Sequence, residues 1–307
     1  MDFASVLKDS WKITWRKKNL WWLGFFALLT EAGSGSPTFY QLPAIPTNED
    51  KAKAAASDVL SNLSAAFSDP LLITITIITL IAILFIVLYI SYSAKAGLIM
   101  GADKYDKEKI DNKPVAKKLY LDGNRFAWKI FLFDLILAVI ALVVIVLLVA
   151  PAIPLVLAFE ETAAIFMFIG LLIIASAILI VFSIALTIVK QLGERMIVLD
   201  EKSVAHAFTD SIRMMMTNIG EILLTWLISL AVGIGFSIGS FLGFFLAGLL
   251  YFVTSAVFYL LLKTPGLVFF GTTSGLIIVI AICAVLGAFS TFSSTYWTLS
   301  YKRLRKN

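Results

Sequence analysis

LLITITIITLIAILFIVLYISY, Leu71–Tyr92, runs for 22 residues without a charged side chain. As a helix rising about 1.5 Å per residue it reaches about 33 Å, enough to cross the ~30 Å hydrocarbon core of a bilayer. Similar runs follow at Ile130–Val149, Ala163–Val189, Ile222–Phe244 and Leu267–Leu299, and a shorter one, Leu20–Thr30, precedes it. The chain is 60% hydrophobic and 15% charged, with a mean hydropathy of +0.94. A soluble domain cannot hide that much apolar surface, whereas a bundle in lipid need not. The sequence therefore predicts an all-α polytopic membrane protein, 1–307 as one transmembrane domain, with six crossings arranged as three parallel hairpins.

Charge fixes the expected orientation. Of 25 lysines and arginines, five lie in 1–18, nine in 95–129, four in 190–218 and four in 302–307. Lys51, Lys53 and Lys263 are the remainder. Loops that keep Lys and Arg stay on the cytoplasmic face, so both termini are expected inside a multi-pass cell (cytoplasmic) membrane protein. Ser240–Leu262 is apolar enough for a seventh crossing. That would put Lys302, Arg303, Arg305 and Lys306 outside, so it is read as the long end of the fifth helix plus a surface-packed or re-entrant helix. The net charge of +5 follows the ends of apolar runs, which favours anionic headgroups over nucleic acid as partner. Residues 1–30 have the outline of a signal peptide, but Trp21, Trp22, Phe25 and Phe26 suit a retained anchor.

A repeat is legible in the threading. Ala205, Phe208, Ile212, Met215, Met216 and Ile219 form an apolar stripe with His206, Asp210, Arg213 and Thr217 opposite, the pattern of an interfacial helix. Phe3, Val6, Leu7, Trp11 and Trp15 form the same stripe before the first span, with Lys8, Asp9, Lys12 and Arg16 opposite. Asp9-Ser10-Trp11-Lys12 aligns with Asp210-Ser211-Ile212-Arg213. A weaker third copy starts at Lys113-Pro114-Val115-Ala116, echoing Lys202-Ser203-Val204-Ala205, and Gly123 is expected to interrupt its helix. Each hairpin ends in a basic residue: Lys95, Lys190 and Lys302. The units are about 1–100, 110–195 and 203–302, each preceded by a cytoplasmic interfacial helix, with an extracytoplasmic loop over 31–70. In that loop Ala56, Val59, Leu60, Leu63 and Phe67 have helical spacing.

Two short motifs carry a family resemblance. Gly193-Glu194-Arg195-Met196-Ile197-Val198-Leu199-Asp200, followed by an amphipathic helix, and the ending Thr295-Tyr296-Trp297-Thr298-Leu299-Ser300-Tyr301-Lys302-Arg303-Leu304 resemble prokaryotic membrane proteins of the glycerophosphoryl diester phosphodiesterase membrane-domain family. The resemblance implies a six-helix membrane domain. It implies no activity, because catalysis in that family belongs to a soluble barrel that is not part of these 307 residues.

The candidate binding residues are ionisable groups near the cytoplasmic ends of the spans: Lys95, Asp134, Lys190, Glu194, Arg195 and Glu221. Asp134 lies deepest, about a turn beyond Lys129, where a carboxylate must be paired or wet. Lys95 and Lys190 are its expected partners, forming either a headgroup or coupling-ion site or a structural salt bridge. Gly235, Gly239 and Gly243 recur every four residues with Ala231 and Ala247, a small-residue face expected to pack against another helix of the bundle or a second copy. Gly287, Thr291, Thr295 and Thr298 make a small polar stripe on the last span, whose hydroxyls either line a groove or bond back to their own helix. His206, the single histidine, has no evident serine nucleophile, and Glu160-Glu161 reads as helix capping. Cys283 is one cysteine in an apolar run, so no disulfide or Cys-based metal site arises within the chain. No metal, cofactor or catalytic motif is legible. The expected function is non-enzymatic: organising or sensing membrane lipid or partner proteins, with a homo-oligomer possible. A small-solute or lipid transporter with a polar cavity in the bundle is the alternative.

Overall fold

The computed structural model describes residues 1–31, 70–107, 116–150 and 162–305. Most of the outer loop, Lys113–Val115 and Glu160-Glu161 lie outside the described residues. All regular structure among the described residues is helical: α1 (Phe3–Arg16), α2 (Leu20–Glu31), α3 (Pro70–Lys107), α4 (Ala116–Val149), α5 (Thr162–Leu199), α6 (Val204–Thr217) and α7 (Ile219–Leu304). Five stretches are long and apolar enough to cross a membrane: Pro70–Asp106, Ala116–Val149, Ile169–Leu199, Ile219–Lys263 and Phe270–Leu304. Leu20–Leu29 is a shorter apolar helix. The chain is thus a helical membrane protein.

α7 is two arms joined at a break. Lys263 has φ 56° and ψ −144°, and Pro265 follows it. Proline lacks an N–H and disfavours helix at the residue before it, so the turn falls here. The first arm, Ile219–Lys263, is 45 residues long, about 67 Å or twice a bilayer core. Ser240–Leu262 is therefore the continuous end of this helix, and the separate surface-packed or re-entrant helix read from the sequence does not form. The arms stack through Phe236 on Phe289 and Phe258 on Phe270, with ring centroids 4.1 and 4.7 Å apart.

Burial is concentrated at one end of the bundle. α3 exposes Leu71 through Tyr89 and then buries Ser91, Tyr92, Ala94, Ala96, Leu98 and Ile99. α4 buries one face between Leu119 and Leu137, namely Leu119, Gly123, Phe126, Ala127, Ile130, Phe133 and Leu137, and beyond it has no buried residue. α5 and the second arm of α7 repeat the pattern, buried at Ile188–Val198 and at Tyr296–Leu304. The buried end is also the end that carries most of the lysines and arginines. The bare apolar ends are tolerable in lipid, where leaving hydrocarbon exposed carries no hydrophobic penalty.

Lone glycines set the close approaches. A Cβ on Gly24 of α2 would lie 2.3 Å from the Gly287 carbonyl of α7, and one on Gly287 would lie 2.3 Å from the Trp21 carbonyl. Gly97 of α3 and Gly123 of α4 form a second pair, with a Gly123 Cβ 2.5 Å from the Ser93 carbonyl. Gly123 does not interrupt its helix: α4 runs unbroken from Ala116, because the missing side chain admits the α3 backbone. No separate interfacial helix precedes this span among the described residues. Gly235, Gly239 and Gly243 are expected to pack against another helix of the bundle or a second copy; within this chain a Cβ on any of them meets nothing within 4 Å.

α1 and α6 share one design, offset by 201 positions. Each is 14 residues long, capped by Asp2 or Ser203, and ends at a non-helical Lys17 or Asn218. Val6 and Ser10 are buried in α1, and Ala207 and Ser211 hold the same places in α6. Asp2 accepts from the Ala4 and Ser5 amides, and the Ser5 N–H holds its carboxyl below the usual range. The Trp21 indole donates to the Thr14 carbonyl at 2.9 Å, satisfying an acceptor at the end of α1.

Gly287→Ala and Gly24→Ala should each destabilise the protein by about 2 kcal/mol or more, since backbone rather than a flexible side chain blocks the added methyl. Gly235→Ala should be neutral or slightly stabilising through helix propensity. Thermal unfolding in detergent checks this; equal midpoints for the three variants would refute the assignment.

Candidate functional site

The site begins with a glycine. A Cβ on Gly193 of α5 would sit 2.1 Å from the Phe133 ring of α4. That contact brings the next residue of α4, Asp134, within 3.0 Å of Lys190. The Tyr92 hydroxyl of α3 donates to the same Asp134 oxygen at 3.4 Å. One turn along α5 from Lys190, Glu194 accepts from Lys95 Nζ at 2.6 Å. Glu194 is 0% and Lys95 3% exposed.

Arg195 closes the cluster. It donates to the Gln191 carbonyl and side chain, both at 2.7 Å, and to the Ser294 carbonyl of α7 at 3.3 Å. Its nearest approach to Glu194 is 3.7 Å, an ion pair too long for a hydrogen bond. Lys190 with Glu194, and Gln191 with Arg195, stand four residues apart, so one helix presents two polar rows. α5 is thereby tied to α3, α4 and α7 at one level.

Five of the six candidate binding residues, Lys95, Asp134, Lys190, Glu194 and Arg195, come together here. Lys95 pairs with Glu194 rather than with Asp134, its expected partner. Glu221 stands apart, bonded to the Met1 amino group at 3.0 Å. Sequence reasoning missed Tyr92 and Gln191, uncharged residues one turn from Lys95 and Arg195. Asp134 Oδ1 and Glu194 Oε2 are buried without a hydrogen-bond partner. The hydroxyls of the last span do not join the cluster: Thr291, Thr295 and Thr298 each donate to the carbonyl four residues earlier, at 2.7–2.8 Å.

A collar of ion pairs surrounds the chain ends. Lys302 bonds Asp103 at 2.9 Å and also Asp106. Arg303 reaches Asp9 at 2.9 Å and Ser5, and Arg305 bonds Asp200. Three neighbouring basic residues thus grip α3, α1 and the end of α5. Lys95, Lys190 and Lys302, the basic residues that end the three expected hairpins, are all turned inward to carboxylates.

The cations left over lie elsewhere. Lys8, Lys12 and Arg16 are exposed on α1, and among the described residues they enter no ion pair. Trp11, Trp15 and Trp22 beside them are 58%, 46% and 66% exposed. The tryptophans of α1 thus flank its buried face of Val6, Ser10 and Thr14, and Trp11 meets Phe292 of α7 edge-on at 6.0 Å. On α6, Ser203 Oγ lies 2.7 Å from His206 Nδ1, but that oxygen is also the helix cap, accepting the His206 N–H at 3.4 Å. Both residues are exposed, and nothing in the geometry orients the imidazole as a catalytic base.

Residues 118–302, more than half of the chain and spanning α4 to α7, match one family model. The chain belongs to DUF7544, a family of unknown function. No curated protein and no solved structure matches it. The DUF7544 segment contains Asp134, Lys190, Glu194 and Arg195, while Lys95 and Tyr92 reach it from outside on α3.

Lys95→Met and Glu194→Gln should each cost about 3–5 kcal/mol, because each strands a buried charge. The double variant should lose about 2–3 kcal/mol less than the sum of the two single losses. Arg125 and Glu201 pair at 2.8 Å but are 60% and 62% exposed, so Arg125→Gln should cost under about 1 kcal/mol. Unfolding in detergent across this double-mutant cycle checks it, and additive single losses would rule out direct coupling.

Proposed function

We propose that this DUF7544 protein is a non-enzymatic integral membrane protein that senses or organises anionic lipid through its amphipathic surface helices. One observation carries the reading: the free face of α1 sets exposed Trp11 and Trp15 against exposed Lys8, Lys12 and Arg16. Tryptophan favours the bilayer interface, with its ring at headgroup depth, and unpaired cations beside it attract anionic headgroups. On a helical projection the tryptophans flank one side of that face and the cations the other. That is the arrangement of a helix lying along a membrane surface. Trp11 and Trp15 stack at 5.4 Å, and Trp15 meets Trp21 edge-on at 5.4 Å, so the aromatic patch is rigid and continuous with the start of α2.

In this reading the charged end faces the cytoplasm and α2 pairs with α3 as the first of three hairpins, giving six crossings. The buried cluster is then a structural lock. Leu88 of α3 and Ile184 of α5 pack on the core beside Leu137 of α4, so the cluster opens toward the bare end of the bundle onto apolar side chains. A transport route would need polar groups there.

Spin-labelled lipids added to the full chain in bilayers test the proposal. Wild-type protein should hold phosphatidylglycerol in preference to phosphatidylcholine, and salt should weaken the preference. Lys8→Gln, Lys12→Gln and Arg16→Gln together should lower it by at least about tenfold at low salt, since each cation near a charged surface contributes about 1 kcal/mol. Trp11→Ala with Trp15→Ala should weaken association with both lipids. An unchanged preference in the triple variant would reject the reading.

A further inference from the structure

The ends of α5 and α7 and the face of α6 enclose an open pocket of ≈ 310 Å³. Its polar wall holds Lys202, Arg213 and Arg305 against Asp200 and Asp210. Both carboxylates are already engaged. Asp200 takes Arg305 on one oxygen and the Tyr301 hydroxyl, at 2.6 Å, on the other. Asp210 accepts from Lys202 at 2.9 Å, and that bond holds its carboxyl below the usual range. Arg213 is exposed and, among the described residues, has no ion-pair partner. An ammonium offers three donors and a guanidinium five, with no acceptor on either, so the wall has donors to spare once its acids are satisfied.

The rest of the pocket is amphiphilic. Met196 and Leu304, both 3% exposed, form its floor. Next in sequence to the lining residues Thr217 and Asn218, Met216 and Ile219 are 69% and 64% exposed, and Leu223, one turn further along the first arm of α7, is 50% exposed. Donors in surplus, an apolar floor and an apolar exit suit an anion joined to a hydrocarbon. We propose that this pocket binds a phosphate group, with Arg213 as its principal ligand and Lys202 and Arg305 as auxiliary donors. Guanidinium–phosphate contacts are short, charge-assisted and geometrically specific. The phosphate is carried by a phospholipid whose chains follow Ile219 and Leu223, or by a soluble phosphate ester. The lipid source rests on the surface-helix reading above, while the phosphate chemistry stands without it.

Native mass spectrometry of the full chain, released from uncharged detergent, separates these cases. One arm titrates phosphatidylglycerol against phosphatidylcholine; the other titrates glycerol 3-phosphate and inorganic phosphate. Wild-type protein should retain one phosphate-bearing ligand in at least one arm. Arg213→Gln should weaken it about tenfold, the loss expected for one charge-assisted contact. Arg213 is exposed, so an unchanged unfolding midpoint will exclude a folding defect. The triple variant of Lys8, Lys12 and Arg16 should keep this ligand while losing general anionic-lipid preference, so the two readings fail separately. Saturation by phosphatidylglycerol alone assigns the lipid source, and saturation by glycerol 3-phosphate or inorganic phosphate assigns the soluble one. Equal retention by wild type and Arg213→Gln, or no retention in either arm, overturns the proposal.

Discussion

The Lys95–Glu194 pair constrains the rest of the bundle. Both side chains are almost wholly buried and 2.6 Å apart. Removing two charges from water costs several kcal/mol per ion, and the cost is offset only when geometry and further bonds are good. α3 and α5 must therefore meet at one rotation and one depth. The neighbouring contacts secure that register: Gly97 against α4, Gly193 against Phe133, and Arg195 against the Ser294 carbonyl. With α5 locked to three helices at this level, the chain ends can be gathered around it by Lys302, Arg303 and Arg305.

That arrangement divides the basic residues into two populations. Some hold the fold together, and others remain exposed. A count of Lys and Arg along the sequence reads them as one class, because orientation depends on their sum. Lys302-Arg303-Leu304-Arg305 reads, from sequence alone, as a run of positive charge that fixes the side of the C-terminus. Its three cations instead go to Asp103 and Asp106, Asp9, and Asp200. The acids that neutralise them are 100 to 300 positions away, and no local pattern announces the pairing. Part of the surplus resides on α1, where among the described residues Lys8, Lys12 and Arg16 enter no ion pair.

The sequence made the helices legible and left their contacts hidden. Apolar length locates the long spans, since about 20 residues suffice for a crossing, but it sets neither the short Leu20–Leu29 helix nor the 45-residue first arm of α7. Asp134 stood out as a carboxylate set into an apolar run, and one of its expected partners, Lys190, holds it. Glu194 was seen as part of the cluster, but its link to Lys95 crosses 99 positions. The glycines show the same limit more sharply. Gly235, Gly239 and Gly243 advertise themselves by spacing within one helix, and they face open space. Gly24 and Gly287 are isolated in their own helices and touch backbone to backbone. Spacing records what one helix can offer; which face is used depends on its neighbours.

α1 and α6 show how one module serves two environments. Their caps, lengths and buried positions coincide, because each must dock a small inner face on the end of a long helix: Val6 and Ser10 in one, Ala207 and Ser211 in the other. A bulky residue there would lift the helix away. Outside that face packing is looser, and the two helices differ. Where α1 carries Lys8, Trp11, Lys12, Trp15 and Arg16, α6 carries Thr209, Ile212, Arg213, Met216 and Thr217. α1 thus presents a broad basic and aromatic surface. α6 presents one unpaired arginine beside a pocket that the preceding turn helps build: Glu201, at φ 55°, reverses the chain after α5 and sets Lys202 opposite Asp210. The shared half of the module fixes position. The divergent half is where any difference in ligand between the two helices must reside.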